Sequence, residues 1–136
     1  MSETESILQA YFDAFNRHDL EAMLATLADD VAHDINEGGR EVGIEAFRKF
    51  KMHMDECYRE QVRDMVIMTN GNYGTVEFIV EGSYIKTDAG LPEATGQTYA
   101  IPAAAIFEIG DGKITRVTSY YNLNGWIAAI SQSKSL

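Results

Sequence analysis

A carboxylate and an amide stand two residues apart on a short, partly β-branched segment, Val31 to Asn36. Because side chains of a strand alternate between its faces, Asp34 and Asn36 share one face of the predicted strand. On an apolar wall, desolvation would raise the pKa of the Asp34 carboxyl towards values that suit proton transfer. The Asn36 amide could orient a substrate carbonyl or the carboxylate itself. The pair therefore indicates acid–base chemistry on a small molecule.

Each of these residues also has a structural interpretation. Asp34 can pair with Arg40 across the two glycines at 38–39, as an ordinary carboxylate at the end of a strand. An asparagine before two glycines, such as Asn36, is equally typical of turn chemistry. His33 alternates with Asp34 and is therefore expected on the opposite face, in an exposed or structural role.

Six further side chains are candidates for a ligand site. Tyr11 falls on the apolar stripe of the first predicted helix, where it serves either as a hydrogen-bond donor or as a core residue with a polar tip. Alternation places three residues of the last predicted strand on one face: Val117, Ser119 and Tyr121. Two large aromatic residues elsewhere, Tyr99 and Trp126, either close the same space or pack in the core or in a dimer contact. We treat these five as candidates for substrate binding.

Several classes of enzyme find no support in the sequence. Cys57 is the single cysteine, and His18, His33 and His53 lack short ligand spacing, so neither a zinc site nor a Cys–His nucleophile is predicted. There is no Gly-rich phosphate loop and no Gly-x-Ser-x-Gly motif. The stretch 58–64 mixes both signs of charge, which indicates a solvated entrance to a strand rather than a binding cluster. We expect no metal and no cofactor.

The overall charge narrows the range of partners. Twenty-one acidic against 11 basic side chains give a formal net charge of −10, which repels nucleic acid and anionic membrane surfaces. No stretch approaches the roughly 20 apolar residues that span a bilayer. The first residues carry glutamates and no basic side chain, unlike a targeting peptide. We expect a cytoplasmic location, with neither nucleic acid nor membrane as a partner.

Apolar periodicity predicts the elements that position these side chains. Spacings of three and four indicate helices over Ser2 to Arg17, from Asp19 to near Asp29, and from Gly43 to Tyr58. Four strands follow: Gln61 to Thr69, Tyr73 to Lys86, Gln97 to Ile109 and Ile114 to Asn122. A short helix from Leu123 comes after them. This order predicts an α+β fold in a single domain over residues 1–136. Two strands of about 13 residues imply a bent sheet, which encloses a hollow when helices cover it.

Three stretches near the N-terminus form a recognisable pattern: AYFDAFN from Ala10, DLEA from Asp19 and LADDVAHD from Leu27. DGKI from Asp111 and SYY from Ser119 add a weaker one. Together they resemble the bacterial ketosteroid isomerases and the SnoaL-like proteins of the NTF2-like superfamily. The resemblance implies a cone-shaped fold, in which three N-terminal helices pack on a strongly bent, mostly antiparallel sheet that encloses a pocket.

The resemblance also implies roles for individual residues. In ketosteroid isomerase one aspartate moves a proton, while a tyrosine and a protonated aspartate hold the developing enolate oxygen. At the matching positions Asp34 is the implied proton carrier, Tyr11 the implied oxyanion donor and Tyr121 an implied pocket wall. The acidic donor has no counterpart, because Ala103 to Ala105 occupy its place. The loss of one such donor costs about 2.7 to 4 kcal/mol of transition-state stabilisation.

The function implied is that of a cofactor-free isomerase or cyclase-like enzyme, which transfers a proton α to a carbonyl of a small, mostly apolar substrate. The alternative is a non-catalytic protein that binds such a ligand in the same pocket. A third alternative is a dimerising scaffold. The expected partners are a small apolar carbonyl-type ligand and a second copy of the chain, since the outer sheet face implies a homodimer in this family.

Overall fold

The computed structural model describes residues 2–131. The helices of this part of the chain are α1 (Glu3–Arg17), α2 (Leu20–Leu24), α3 (Ile44–Cys57) and α4 (Leu123–Ile130). The strands are β1 (Leu27–Asp34), β2 (Arg40–Val42), β3 (Tyr58–Asn70), β4 (Tyr73–Tyr84), β5 (Thr98–Gly110) and β6 (Lys113–Tyr121).

The strands form one sheet in the order β2-β1-β6-β5-β4-β3. β1 and β6 run parallel, and all other neighbours run antiparallel. β3 and β5 have 13 residues each, and their pairing is irregular at Arg63/Val66 and at Glu108/Ile109, where bulges bend the long strands. The predicted α+β cone, with three N-terminal helices on a bent and mostly antiparallel sheet, is confirmed.

Local capping explains where the N-terminal helices begin. The Ser2 hydroxyl accepts the backbone N–H of Glu5, and the Asp19 carboxylate accepts that of Ala22. Side-chain oxygens at these positions satisfy amide donors that have no partner within the helix. Gly43, directly before α3, has a φ of 106°, which glycine adopts without strain.

The segment after α1 differs from the prediction. α2 ends at Leu24, earlier than expected, and β1 begins at Leu27 and ends at Asp34. Leu27 pairs with Ile114 of β6, and this long-range pairing overrides the local helical spacing. The chain after the 38–39 turn continues as the unpredicted strand β2, whose Arg40 pairs with Asp34.

The core lies between α1 and the inner face of the sheet, where Leu8, Phe12 and Phe107 are almost fully buried. The predicted closing helix is present as α4 and covers one end of the sheet. No helix within residues 2–131 is long and apolar enough to cross a membrane. The expectation of one domain over residues 1–136 stays a prediction, since residues 1 and 132–136 lie outside the described part.

Candidate functional site

A cavity of about 160 Å³ lies between α1, α3 and the inner face of the sheet, beneath α4. Its walls are mainly aromatic and aliphatic. The polar side chains that line it, besides Trp126 and the tyrosines, are His33, Asn36, Lys51, Glu60 and Ser119. Tyr99 also lines it. Among the residues that the sequence singled out, all except Asp34 and Val117 line this cavity.

Asp34 lies on the opposite face of the sheet from the cavity, and the expectation that it points inward is wrong. The cause is the β1–β2 hairpin, which places Arg40 directly across from it. Arg40 donates to both carboxylate oxygens, at 2.6 and 3.0 Å, and the Thr118 hydroxyl donates a third bond at 2.6 Å. These bonds lower the pKa of Asp34 to about 2. A carboxylate so firmly held in its charged form is a weak base near neutral pH.

Val117, which the sequence suggested for substrate binding, does not line the cavity. It shares the inner face of β6 with Ser119 but is packed against the main core, 2% exposed, and pairs with Phe107 of β5. The prediction that Val117 lies on the inner face of β6 is therefore correct. It did not account for the position of Val117 further along the strand, away from the cavity.

His33 lies on the opposite face of β1 from Asp34, as alternation predicts, but this face is the one that lines the cavity, so His33 is buried rather than exposed. Its ring packs against Phe47 and Phe50, with centroids 4.9 and 4.7 Å away, and the residue is 5% exposed. Burial lowers the pKa of His33, which keeps the imidazole neutral at pH 7. Its Nδ1 atom is buried without a hydrogen-bond partner in the described structure.

Asn36 presents a second buried polar atom without a partner. Its Oδ1 accepts the backbone N–H of Tyr121 at 3.0 Å, which fixes the side chain beside β6. Its Nδ2 has no partner within residues 2–131. A buried polar atom left unpaired costs about 1 to 3 kcal/mol. Two such atoms on one cavity wall, here on His33 and Asn36, indicate a place for an oxygen of a ligand.

Glu60 enters the cavity from β3 and is the acidic group that the sequence analysis missed. The Tyr99 hydroxyl donates to its Oε2 at 2.5 Å. Burial is the largest influence and raises the pKa of Glu60, while the Tyr99 hydrogen bond and the Lys51 charge act in the opposite direction. A half-buried carboxyl with a raised pKa, held by one donor, is suited to general acid–base work.

The backbone of β4 makes room for this pair. Gly82 pairs with Tyr99 across the β4–β5 ladder. A Cβ atom at Gly82 would lie 2.5 Å from the Tyr99 hydroxyl and 2.5 Å from the ring carbon that bears it. The Tyr99 ring can lie over β4 and reach Glu60 only because this residue is glycine.

Lys51 supplies the positive charge near Glu60. It is 7% exposed, pairs with Asp55 at 2.5 Å, and places its ammonium 4.2 Å from the centre of the Phe15 ring. The ammonium is thus held by one carboxylate and one aromatic face. From this position it stabilises the ionised form of Glu60.

The predicted aromatic candidates form a wall around the same space. Trp126 of α4 contacts Tyr99 and Tyr121 edge-on, at centroid distances of 6.2 and 6.5 Å. Tyr11 of α1 closes the far side, edge-on to Phe107 at 5.4 Å. Burial raises the pKa of Tyr11, so its hydroxyl stays protonated and can serve as a donor.

Ala103 and Ala104 both border the cavity, and they occupy the place where the resemblance to ketosteroid isomerases implies an acidic donor. The acidic group reaches the cavity instead from Glu60, two strands away. A signal for it was present in the sequence, because Tyr58 and Val62 alternate with Glu60 and both are buried. Period-two alternation thus places Glu60 on the inner face, although the surrounding mixed charges suggested solvent.

Comparison with known proteins shows close structural relatives. A presumed polyketide cyclase from Xanthomonas campestris pv. campestris is 53% identical, with a TM-score of 0.93 over 95% of this chain and 97% of that chain. A second, from Pseudomonas putida KT2440, is 49% identical, with a TM-score of 0.92 over 96% and 98% of the two chains. A protein with a ketosteroid isomerase-like fold from Catenulispora acidiphila shares the fold at 21% identity, with a TM-score of 0.75 over 91% of each chain.

No curated protein matches this chain. The family model described as the SnoaL-like domain matches residues 8–117. This range runs from α1 to β6 and includes the cavity residues His33, Glu60 and Tyr99. The chain therefore belongs to the SnoaL-like domain family.

Proposed function

We propose that the protein is a cofactor-free enzyme that removes a proton α to a carbonyl of a small, mostly apolar substrate, with Glu60 as the proton carrier. The observation that carries the proposal is the Glu60–Tyr99 pair inside an apolar cavity, where burial raises the pKa of the carboxyl. Asp34 has no part in it, because its carboxylate is bound by Arg40 on the other face of the sheet.

The cavity residues divide the chemistry between them. The ionised Glu60 takes the α proton, and the electron pair of the broken C–H bond moves into an enolate. His33 and Asn36, with their unpartnered nitrogen atoms, are suited to donate to the enolate oxygen. Tyr11 is a further donor on the opposite wall. Because Glu60 becomes neutral as the enolate becomes negative, the total charge of the cavity is unchanged.

The enolate then has two fates. Protonated Glu60 can return the proton to another carbon of the same conjugated system, which is isomerisation. Alternatively, the enolate carbon forms a bond to a second carbonyl of the substrate, whose oxygen becomes an alkoxide and takes the proton back from Glu60. The second course closes a ring, and the names of the relatives from Xanthomonas campestris and Pseudomonas putida, both described as polyketide cyclases, favour it.

The cavity also limits the size of the substrate. A void of about 150 Å³ accommodates a benzene ring, so about 160 Å³ suits a compound with one ring or an equivalent open chain. The walls are mainly hydrocarbon, which favours an apolar body with its oxygens at the His33–Asn36 end.

The test is deuterium exchange at the α carbon of small cyclic ketones and 1,3-dicarbonyl compounds, followed by NMR. The same compounds are first screened for binding, so that a lack of exchange is not confused with a lack of contact. We expect the wild type to accelerate exchange of at least one compound that binds, and Glu60→Gln to reduce that rate by roughly 100-fold or more.

Two results would count against the proposal. Exchange at the same rate in wild type and Glu60→Gln would remove Glu60 from the chemistry. No acceleration of any compound that binds would favour the alternative, a non-catalytic protein that holds a small carbonyl ligand.

A further inference from the structure

A second cluster of reactive side chains lies at the C-terminal end of α3, apart from the cavity. His53 and Cys57 are four residues apart on this helix, and so project from the same side of it. Asp88 reaches them from the loop between β4 and β5. The imidazole nitrogen, the thiol sulfur and a carboxylate oxygen all lie within 4.8 Å of one another.

The geometry is close to that of a metal centre. Ligand atoms around a tetrahedral zinc ion are roughly 3.3 to 3.8 Å apart, given bonds of about 2.1 Å to nitrogen or oxygen and 2.3 Å to sulfur. The His53 Nε2 to Asp88 Oδ1 distance is 2.9 Å, and all three ligand atoms lie within 4.8 Å of one another. Movements of about 1 Å would bring the three atoms to zinc-binding positions.

The donor set selects the kind of ion. One thiolate, one imidazole and one carboxylate suit a borderline-soft divalent ion, and suit calcium or magnesium poorly. The charges of the thiolate and the carboxylate together balance the two positive charges of the ion. Cys57 is 3% exposed while His53 is exposed, so the site has a buried floor and one side open to a water ligand.

From these observations we propose that His53, Cys57 and Asp88 bind a zinc-class divalent cation. The spacing of the histidines along the chain predicts no metal site. Asp88 lies far from His53 and Cys57 in sequence and approaches them only in the folded chain, so residue spacing does not reveal this cluster.

The surroundings support a structural role for the ion. The Tyr58 hydroxyl donates to the second oxygen of Asp88 at 2.8 Å, which orients this carboxylate towards the helix. The backbone N–H groups of Ile85 and Lys86 bond to the carbonyl of Cys57 at 2.9 and 3.3 Å. An ion here would tie the β4–β5 loop to α3.

The site is independent of the proposed proton-transfer chemistry. His53, Cys57 and Asp88 are not among the residues that line the cavity. Metal binding can therefore be measured without any substrate, and failure of one proposal leaves the other standing.

The test is a titration of the untagged protein with Co²⁺, which replaces Zn²⁺ and makes the thiolate bond visible by absorption. We expect one equivalent of Co²⁺ to bind with a thiolate-to-cobalt charge-transfer band in the near ultraviolet, and Zn²⁺ to displace it. Cys57→Ser should abolish the band. His53→Gln should weaken binding by at least tenfold, and Tyr58→Phe by about 10- to 100-fold through the lost bond to Asp88.

His18→Asn provides the control, since it removes an exposed histidine from the turn between α1 and α2 and should bind Co²⁺ like the wild type. Zn²⁺ should also raise the melting temperature of the wild type and not that of Asp88→Asn, a readout that does not require Cys57→Ser to fold. Absence of the band at saturating Co²⁺, or equal affinities in wild type and His53→Gln, overturns the proposal.

Discussion

Two carboxyl groups of the sheet have opposite electrostatic surroundings. Asp34 on the outer face accepts three hydrogen bonds, two of them from a guanidinium, and its pKa falls to about 2. Glu60 on the inner face has one hydrogen bond from Tyr99 and an apolar environment that raises its pKa. Pairs of carboxyls whose environments move their pKa values apart often mark the division between structural and catalytic acids.

Replacement of Asp34 by asparagine should affect stability and leave the cavity intact. Because the folded-state pKa lies below the unfolded value, the Asp34–Arg40 pair stabilises the fold above about pH 4 and loses this effect as the pH falls through about 2. Arg40 is largely exposed, so solvent screening limits the effect to about 1 kcal/mol. Urea unfolding of Asp34→Asn should show this loss at pH 7, and a much smaller loss near pH 2.

Replacement of Tyr99 by phenylalanine should change the pH dependence of turnover. The Tyr99 hydrogen bond stabilises the ionised form of Glu60 and so lowers its pKa. Without it the pKa of Glu60 rises further, and the acidic limb of the kcat/KM profile should move to higher pH. Tyr73→Phe, an exposed tyrosine on the outer face, should keep the wild-type profile. A limb that stays in place in Tyr99→Phe would contradict the assignment of Glu60 as base.

At the scale of elements, the position of Glu60 depends on how β3 is held. The Asn16 side chain at the end of α1 bonds twice to the backbone of Val62, at 2.8 and 3.0 Å, two residues beyond Glu60. On the other side, the β4–β5 pairing sets Tyr99 opposite Gly82. Helix and ladder together fix the distance between carboxyl and hydroxyl.

Replacement of Gly82 by alanine should separate this pair. The new methyl group would occupy the space of the Tyr99 hydroxyl and displace the ring from Glu60. Since a misplacement of about 1 Å can cost on the order of 100-fold in rate, we expect kcat to fall by roughly 10- to 100-fold. Gly39→Ala is the control, because a Cβ atom there meets nothing within 4 Å. Equal kcat values in the two variants would show that Tyr99 does not position the base.

Prediction from the sequence succeeded where the cause is local. Ser2 and Asp19 cap their helices through neighbours three residues away, and both helix starts were predicted correctly. The face of the sheet on which Asp34 lies was predicted incorrectly. This face depends on the pairing of β1 with β2 and with β6, which no local sequence pattern encodes. Glu60 was overlooked because local charge outweighed the alternation of its apolar neighbours.

At the scale of the whole molecule, the outer face of the sheet is the counterpart of the cavity. It exposes Val66, Met68, Tyr73 and Tyr120, each about half exposed. Apolar surface of this kind on one face favours association with a second copy. The homodimer expected from the sequence stays a prediction.

Sedimentation or light scattering should find a dimer for the wild type and a monomer for Met68→Lys, which places a charge on that face. Met52→Lys, an exposed methionine on α3, should remain a dimer. A wild type that is monomeric at every concentration would contradict the expectation.

In the proposed chemistry the proton carrier is Glu60 in the cavity rather than Asp34 on the outer face. The most direct measurement is the rate of α-carbon deuterium exchange, on a compound that the wild type accelerates, in Glu60→Gln and in Asp34→Asn under identical conditions at pH 7. We expect the exchange rate to fall by roughly 100-fold or more in Glu60→Gln and to stay within about twofold of wild type in Asp34→Asn. The reverse order, with exchange lost in Asp34→Asn and kept in Glu60→Gln, would contradict the proposal.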